Sequence, residues 1–295
     1  MPHISEIQIR DPFVLRRGDL YYLYGTTDPD CWKGPGIGFD VYIACNSLTE
    51  WDGPFPAFRP PVNFWSEKNF WAPEVYEYQN AFYMFATFLP ISGCRGTAVL
   101  KAVNPLGPFI LWSDGIVTPH DWECLDGTLH WEDGIPYMVF CHEWSQVGDG
   151  QVCAVMLSPD LRKPIGEVFT LFTASEAPWT APLAKRAPGS YVTDGPYLYK
   201  AKNEELFMLW STFGSDGLYR IGAAVSENGR LHGPWRQCKE PLYTDDGGHG
   251  MLFDYQGGRL CMAIHTPNKT PNERALFLEV FEENGNLLRK GGAIC

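Results

Sequence analysis

Three stretches of the 295-residue chain place an acid ahead of a Pro or Gly and then run into an aromatic, strand-like segment. They are Asp11 in "IRDPFVL", Asp126 in "CLDGTLHW" and Asp194 in "YVTDGPYLYK". Any one of them alone would serve as a turn former or strand-entry cap. Three in matching positions suggest a shared mouth where carboxylates repel one another, so that at least one keeps its proton while another stays ionised. Cleaving a glycosidic bond needs that combination: a protonated carboxyl to donate to the leaving oxygen, and an ionised one to activate water or attack the sugar. A calcium cage fits less well, because its oxygen ligands should crowd within one loop and these acids come from remote segments.

Elements that would bring such residues together are visible as an internal repeat. Five segments share one layout: "DPFVLRRGDLYYLYGTT", "APEVYEYQNAFYMFATF", "DGTLHWEDGIPYMVFCHEW", "DGPYLYKAKNEELFMLWSTF" and "HGMLFDYQGGRLCMAIHTP". Each reads as a small or acidic opening, a short strand, a polar turn and an aromatic-rich second strand, which is a β-hairpin signature. The openings fall at residues 11, 72, 126, 194 and 249, spaced 61, 54, 68 and 55 residues apart. Further strands follow in "VYIACNS", "TAVLKAV", "QVCAVMLS" and "YRIGAAVSE". About four strands per unit, almost no helix and five units predict an all-β, five-bladed propeller of antiparallel blades in a single domain, 1–295. A β-sandwich is the runner-up, but it would not require equivalent strands to open with equivalent chemistry. In a propeller the innermost strands line a central channel, so acids far apart in sequence meet at one mouth.

A net charge of −12 and the absence of a Lys/Arg cluster argue against nucleic acid or an anionic membrane as partner. Eleven Trp and fourteen Tyr suit either sheet interfaces or a carbohydrate-facing surface. Nine cysteines include Cys45, Cys141, Cys153 and Cys261 inside apolar runs without metal-binding spacing. They read as small buried hydrophobes in a reducing compartment. The start "MPHISEIQIR" lacks the apolar core of an export signal, which gives a cytoplasmic expectation.

"RDPF", "FWAPEVYE", "DGTL…DGIPYMVF", "TDGPYLYK" and "GGHGMLF" together resemble the ordered blade motifs of glycoside hydrolase family 43, the arabinanases, arabinofuranosidases and xylosidases. The resemblance spans essentially the whole chain. It implies an inverting hydrolase acting on an oligosaccharide, with Asp11 as general base, Asp126 as pKa modulator and Asp194 as general acid. The chain departs from the family at Asp194, where "EGP" is usual, so a non-catalytic or altered-mechanism sugar-binding propeller remains the alternative. Glu143 in "FCHEW" is the candidate replacement acid, flanked by His142 and Trp144, and Glu74 is a candidate substrate-binding or structural group. Trp32, Trp71 and Trp144 are candidate sugar-stacking rings. The resemblance implies no required cofactor and leaves room for a structural calcium ion near the propeller axis, close to His249. Exo action on α-L-arabinofuranosides or β-D-xylosides is expected, because a cytoplasmic enzyme meets short oligosaccharides, and the absence of a further C-terminal domain tilts the choice toward arabinose.

Overall fold

A computed structural model of the chain describes residues 1–184, 187–283 and 286–293. Five four-stranded antiparallel sheets, each built from consecutive strands, form the blades of a propeller. Blade one is β1 Arg10–Arg17, β2 Leu20–Thr26, β3 Phe39–Cys45 and β4 Asp52–Phe58. Blade two is β5 Ser66–Tyr78, β6 Ala81–Pro90, β7 Gly96–Ala102 and β8 Ile110–Ile116. Blade three is β9 Cys124–Glu132, β10 Ile135–His142, β11 Gln151–Met156 and β12 Phe169–Thr173. Blade four is β13 Asp194–Lys200, β14 Leu206–Phe213, β15 Tyr219–Ser226 and β16 Trp235–Gln237, and blade five is β17 Gly248–Tyr255, β18 Arg259–Thr266, β19 Arg274–Glu283 and β20 Asn286–Ala293. Every hairpin segment and every third strand expected from the sequence is present.

Apolar side chains of neighbouring sheets interlock between the blades. Phe39, Phe58, Phe70 and Phe88 fill the layer between blades one and two, while Phe172, Trp179 and Trp210 fill that between blades three and four. Trp51 and Trp210 are fully buried, so part of the aromatic surplus is core. Truncating such a ring to Ala costs about 3–5 kcal/mol. The cysteine expectation holds for Cys141, Cys153 and Cys261, which are buried, but Cys45 is exposed. It is the last residue of β3, paired with the exposed Leu20 at the start of β2, so it lies at the open end of the sheet.

Each innermost strand opens with the same irregularity. Asp11, Ala72, Asp126, Gly195 and His249 all have φ between 46° and 57°, and each strand slips register against its neighbour there. Such bulges re-aim side chains toward the axis. The fourth opening is therefore Gly195, and Asp194 stands one residue ahead of the position held by Asp11 and Asp126. A side chain at Gly195 would place its Cβ 2.7 Å from the His249 ring, so only glycine fits and the acid occupies the preceding residue.

The ring closes between blades five and one through hydrogen bonds. Ile9 N–H donates to the Glu273 carbonyl at 3.2 Å, and Arg274 Nε donates to the Ser5 carbonyl at 2.8 Å. Arg10 Nη1 meets Glu273 Oε1 at 2.6 Å, an ion pair in which neither side chain is more than 9% exposed.

Candidate active site

The innermost strands converge on a cavity of about 650 Å³ at one mouth of the channel. Its wall includes Asp11, Trp32, Trp71, Asp126, Glu143, Trp144, Asp194 and His249 from the sequence expectations. Arg10, Arg95 and Tyr219 also line it and were not anticipated. Glu74 and His142 are not part of that wall. Glu74 lies two residues beyond the bulge of β5, buried, where its Oε2 accepts from the Tyr76 hydroxyl, itself 2.7 Å from Thr128 Oγ1. Burial raises its pKa to about 7 against those two hydroxyls. His142 is buried behind the wall, stacked on Trp122 at 4.1 Å with Nε2 2.8 Å from Gln146 Oε1.

Asp11 sits among positive and donor groups. Its Oδ1 is 3.2 Å from His249 Nδ1, its Oδ2 accepts from Thr26 Oγ1 at 2.8 Å, and its own N–H donates to His265 Nδ1 at 3.1 Å. An Nδ1 that accepts is unprotonated, and burial together with the Arg10 charge lowers the His265 pKa to about 3. The 3.5 Å approach of His265 to Asp11 Oδ1 is thus not an ion pair. Burial pushes the Asp11 pKa up, but His249, Arg10 and the Thr26 hydroxyl together hold it below the ordinary carboxylate value.

Asp194 and Asp126 experience the reverse. Asp194 Oδ2 accepts from the Tyr219 hydroxyl at 3.0 Å, and the residue lines the cavity. Asp126 Oδ2 accepts the Gly195 N–H at 2.9 Å and lies 3.7 Å from His249 Nδ1. Burial and mutual repulsion push both carboxyls up. The two carboxyls share the proton the pair retains: Asp11 adds to the upward pressure on Asp126, while the His249 imidazole and the Tyr219 hydroxyl ease that on Asp194. Since Asp11 and Asp126 reach the same His249 nitrogen, their oxygens are separated by no more than those two distances combined.

Glu143 follows β10 and opens a short helix, α1 Trp144–Val147. Its Oε2 is 3.1 Å from Arg95 Nη1 and accepts from Ser145 Oγ at 2.9 Å. Arg95 in turn lies 4.7 Å over the Trp71 ring. Glu143 is thereby tied to Arg95 in the cavity wall. On the opposite side Arg10 lies 4.9 Å over Trp32, whose indole N–H donates to Thr270 Oγ1 at 2.9 Å. Trp32 and Trp71 meet edge to face at 5.2 Å.

The axial residues do not fit a dedicated calcium site. His249 Nδ1 is turned to Asp11, calcium prefers oxygen ligands, and among the described residues no group of three or more His, Cys, Asp or Glu side chains is placed to hold a metal.

A propeller mouth that holds one carboxylate ionised and another protonated defines a glycosidase of the two-carboxylate kind. The family model of glycosyl hydrolases family 43 matches residues 3–286, and the chain belongs to that family. It is similar to the solved structure of an endo-arabinase from Bacteroides thetaiotaomicron, at 37% identity over 96% of this chain and 98% of that one, with a TM-score of 0.89. A thermostable family-43 glycoside hydrolase superposes with a TM-score of 0.79, at 26% identity over 98% and 94% of the two chains. A curated relative is the extracellular exo-α-(1→5)-L-arabinofuranosidase ArbA of Cellvibrio japonicus, 24% identical over 97% of this chain and 82% of its own. That relative, named as extracellular, overturns the cytoplasmic expectation, which had rested on the first ten residues and on the buried cysteines.

Proposed function

We propose that the protein hydrolyses α-L-arabinofuranosides of arabinan-type oligosaccharides with inversion, residues 1–295 acting as one catalytic domain. Asp11 is the general base, Asp194 the general acid, and Asp126 the carboxylate that orients and tunes Asp194. In this reading Asp11 takes a proton from water as its oxygen bonds to the anomeric carbon. Asp194 protonates the departing glycosidic oxygen as the carbon–oxygen bond breaks. Trp32, Trp71 and Trp144 supply flat apolar faces for the sugars. Aspartate is one methylene shorter than the glutamate usual here, so the scissile oxygen is to sit correspondingly deeper toward blade four.

The observation that carries the reading is the opposed displacement of two carboxyls in one cavity, Asp11 downward and Asp194 upward. Arabinose is preferred to xylose because both the Bacteroides structure and the Cellvibrio relative are named for arabinose-containing substrates. The exo expectation drew on the cytoplasmic setting now corrected, and those two relatives are named for opposite modes. The proposal accordingly specifies the sugar and leaves the mode to the product pattern.

The test is a ¹H NMR time course on α-1,5-arabino-oligosaccharides and β-1,4-xylo-oligosaccharides. Early appearance of the β-anomer of arabinose, with faster turnover of the arabino series, is expected. Early appearance of the α-anomer, or a preference for the xylo series, would sink the assignment. Saturable sugar binding without turnover would identify a binding propeller instead.

A further inference from the structure

The five bulge N–H groups at the mouth are satisfied by a repeating device with one exception. In four blades the donor reaches a side chain on the second strand of the preceding blade. Asp11 N–H donates to His265 Nδ1, Ala72 N–H to Thr26 Oγ1 at 2.9 Å, Asp126 N–H to Thr87 Oγ1 at 2.9 Å, and His249 N–H to Ser211 Oγ at 2.8 Å. Those four acceptors occupy one register position. His265 pairs with Gly248, Thr26 with Arg10, Thr87 with Trp71 and Ser211 with Asp194. The fifth member of the set is Cys141, paired with Leu125, and it is fully buried. A thiol is a weak acceptor. The corresponding donor, Gly195 N–H, bonds Asp126 Oδ2 instead.

We infer that Cys141 is a positioning residue: by not competing for the Gly195 N–H, it commits that donor to Asp126 and fixes the carboxylate between blades three and four. This rests on the proposed role of Asp126 as the carboxylate that tunes Asp194. A hydroxyl at 141 would complete the fivefold pattern and take the Gly195 N–H, as Ser211 takes that of His249. Asp126 would lose a donor that favours its ionised form, and the pair would bind its shared proton more tightly. The same change moves that proton from Asp194 toward Asp126. Activity at the optimum therefore falls, while its alkaline limb moves to higher pH. The charged and titratable groups facing the pair are Asp11, His249, Glu143, Arg95 and Tyr219, and none is altered by the substitution.

Cys141→Ser is nearly isosteric, and Cys141→Ala removes the sulfur without adding an acceptor. In the serine variant we expect kcat to fall about tenfold, in keeping with loss of one hydrogen bond to a charged group, with KM little changed and the alkaline limb moved up. The alanine variant should keep the limb of the parent. A readout independent of turnover is the Gly195 amide resonance in glycine-labelled protein: it should follow the titration of Asp126 in the parent and alanine variant and cease to do so in the serine variant. Identical limbs in serine and alanine variants, or a Gly195 amide that titrates unchanged in the serine variant, would overturn the inference. Full activity of Asp126→Asn would instead overturn the role of Asp126 itself, so the two failures are distinguishable.

Discussion

The blade-one and blade-four sides of the mouth present aspartates at nearly equivalent strand openings, with opposite proton affinities. Asp11 faces His249 at 3.2 Å, accepts from Thr26 and follows Arg10 in the chain. Asp194 has only the Tyr219 hydroxyl as a recorded donor and shares its surroundings with Asp126 and Glu143. Asp11 is buried and Asp194 half-buried, so depth alone would give Asp11 the higher proton affinity. Charge sets the order instead: Arg10 and His249 stand beside Asp11, whereas Asp126 and Glu143 stand beside Asp194.

The largest effect that tests this contrast is Asp11→Asn, which should lower kcat about 10³-fold, within the range typical for loss of a general base. Retention of more than a tenth of the parent kcat would break the comparison. Asp194→Asn should cost about 10²-fold on unactivated oligosaccharides, and much less on dinitrophenyl glycosides, whose leaving group departs without a proton. An equal loss on both substrates would remove Asp194 from the acid role. The parent pH profile follows from the same signs. The base must be ionised, so the acid limb lies below the ordinary aspartate range; the acid must be protonated, so activity persists above that range and is lost as Asp194 deprotonates.

Two milder variants should move that alkaline limb in opposite directions. Tyr219→Phe removes a hydrogen bond that favours the Asp194 carboxylate, so the limb moves up; Glu143→Gln removes a neighbouring negative charge, so it moves down. Each should change kcat by less than about tenfold, since neither group transfers a proton. Limbs that shift together would show that Asp194 is not the group being titrated. Smallest of all, Trp32→Ala should raise KM a few-fold at nearly constant kcat, consistent with about 1 kcal/mol of stacking.

The propeller was legible because each blade repeats a hairpin whose turn and alternation are local, and because "RDPF" and "CLDG" mark the openings of blades one and three. The one-residue offset at Asp194 was not. It follows from the His249 ring crowding Gly195, a contact between residues 54 positions apart. Arg10 escaped notice although it directly precedes Asp11, since strict alternation would turn it away from the mouth and only the bulge brings it in. Tyr219 and Arg95 begin or precede strands outside the innermost set, so no repeat pointed to them. Glu74 and His142 carry suitable chemistry but sit below or behind the wall, a matter of depth that spacing does not encode.

The first and last blades meet where Asp11, the proposed water-activating group, is held. Arg10 and Glu273 lock the first sheet to the last, Glu273 also anchors Ile9, and the next side chain along is Asp11 itself. Parting this joint would displace Asp11 without any of the remaining sheets having to separate. Inactivation should accordingly precede loss of β-sheet circular dichroism, and a covalent clasp across the joint would protect turnover more than it raises the melting temperature.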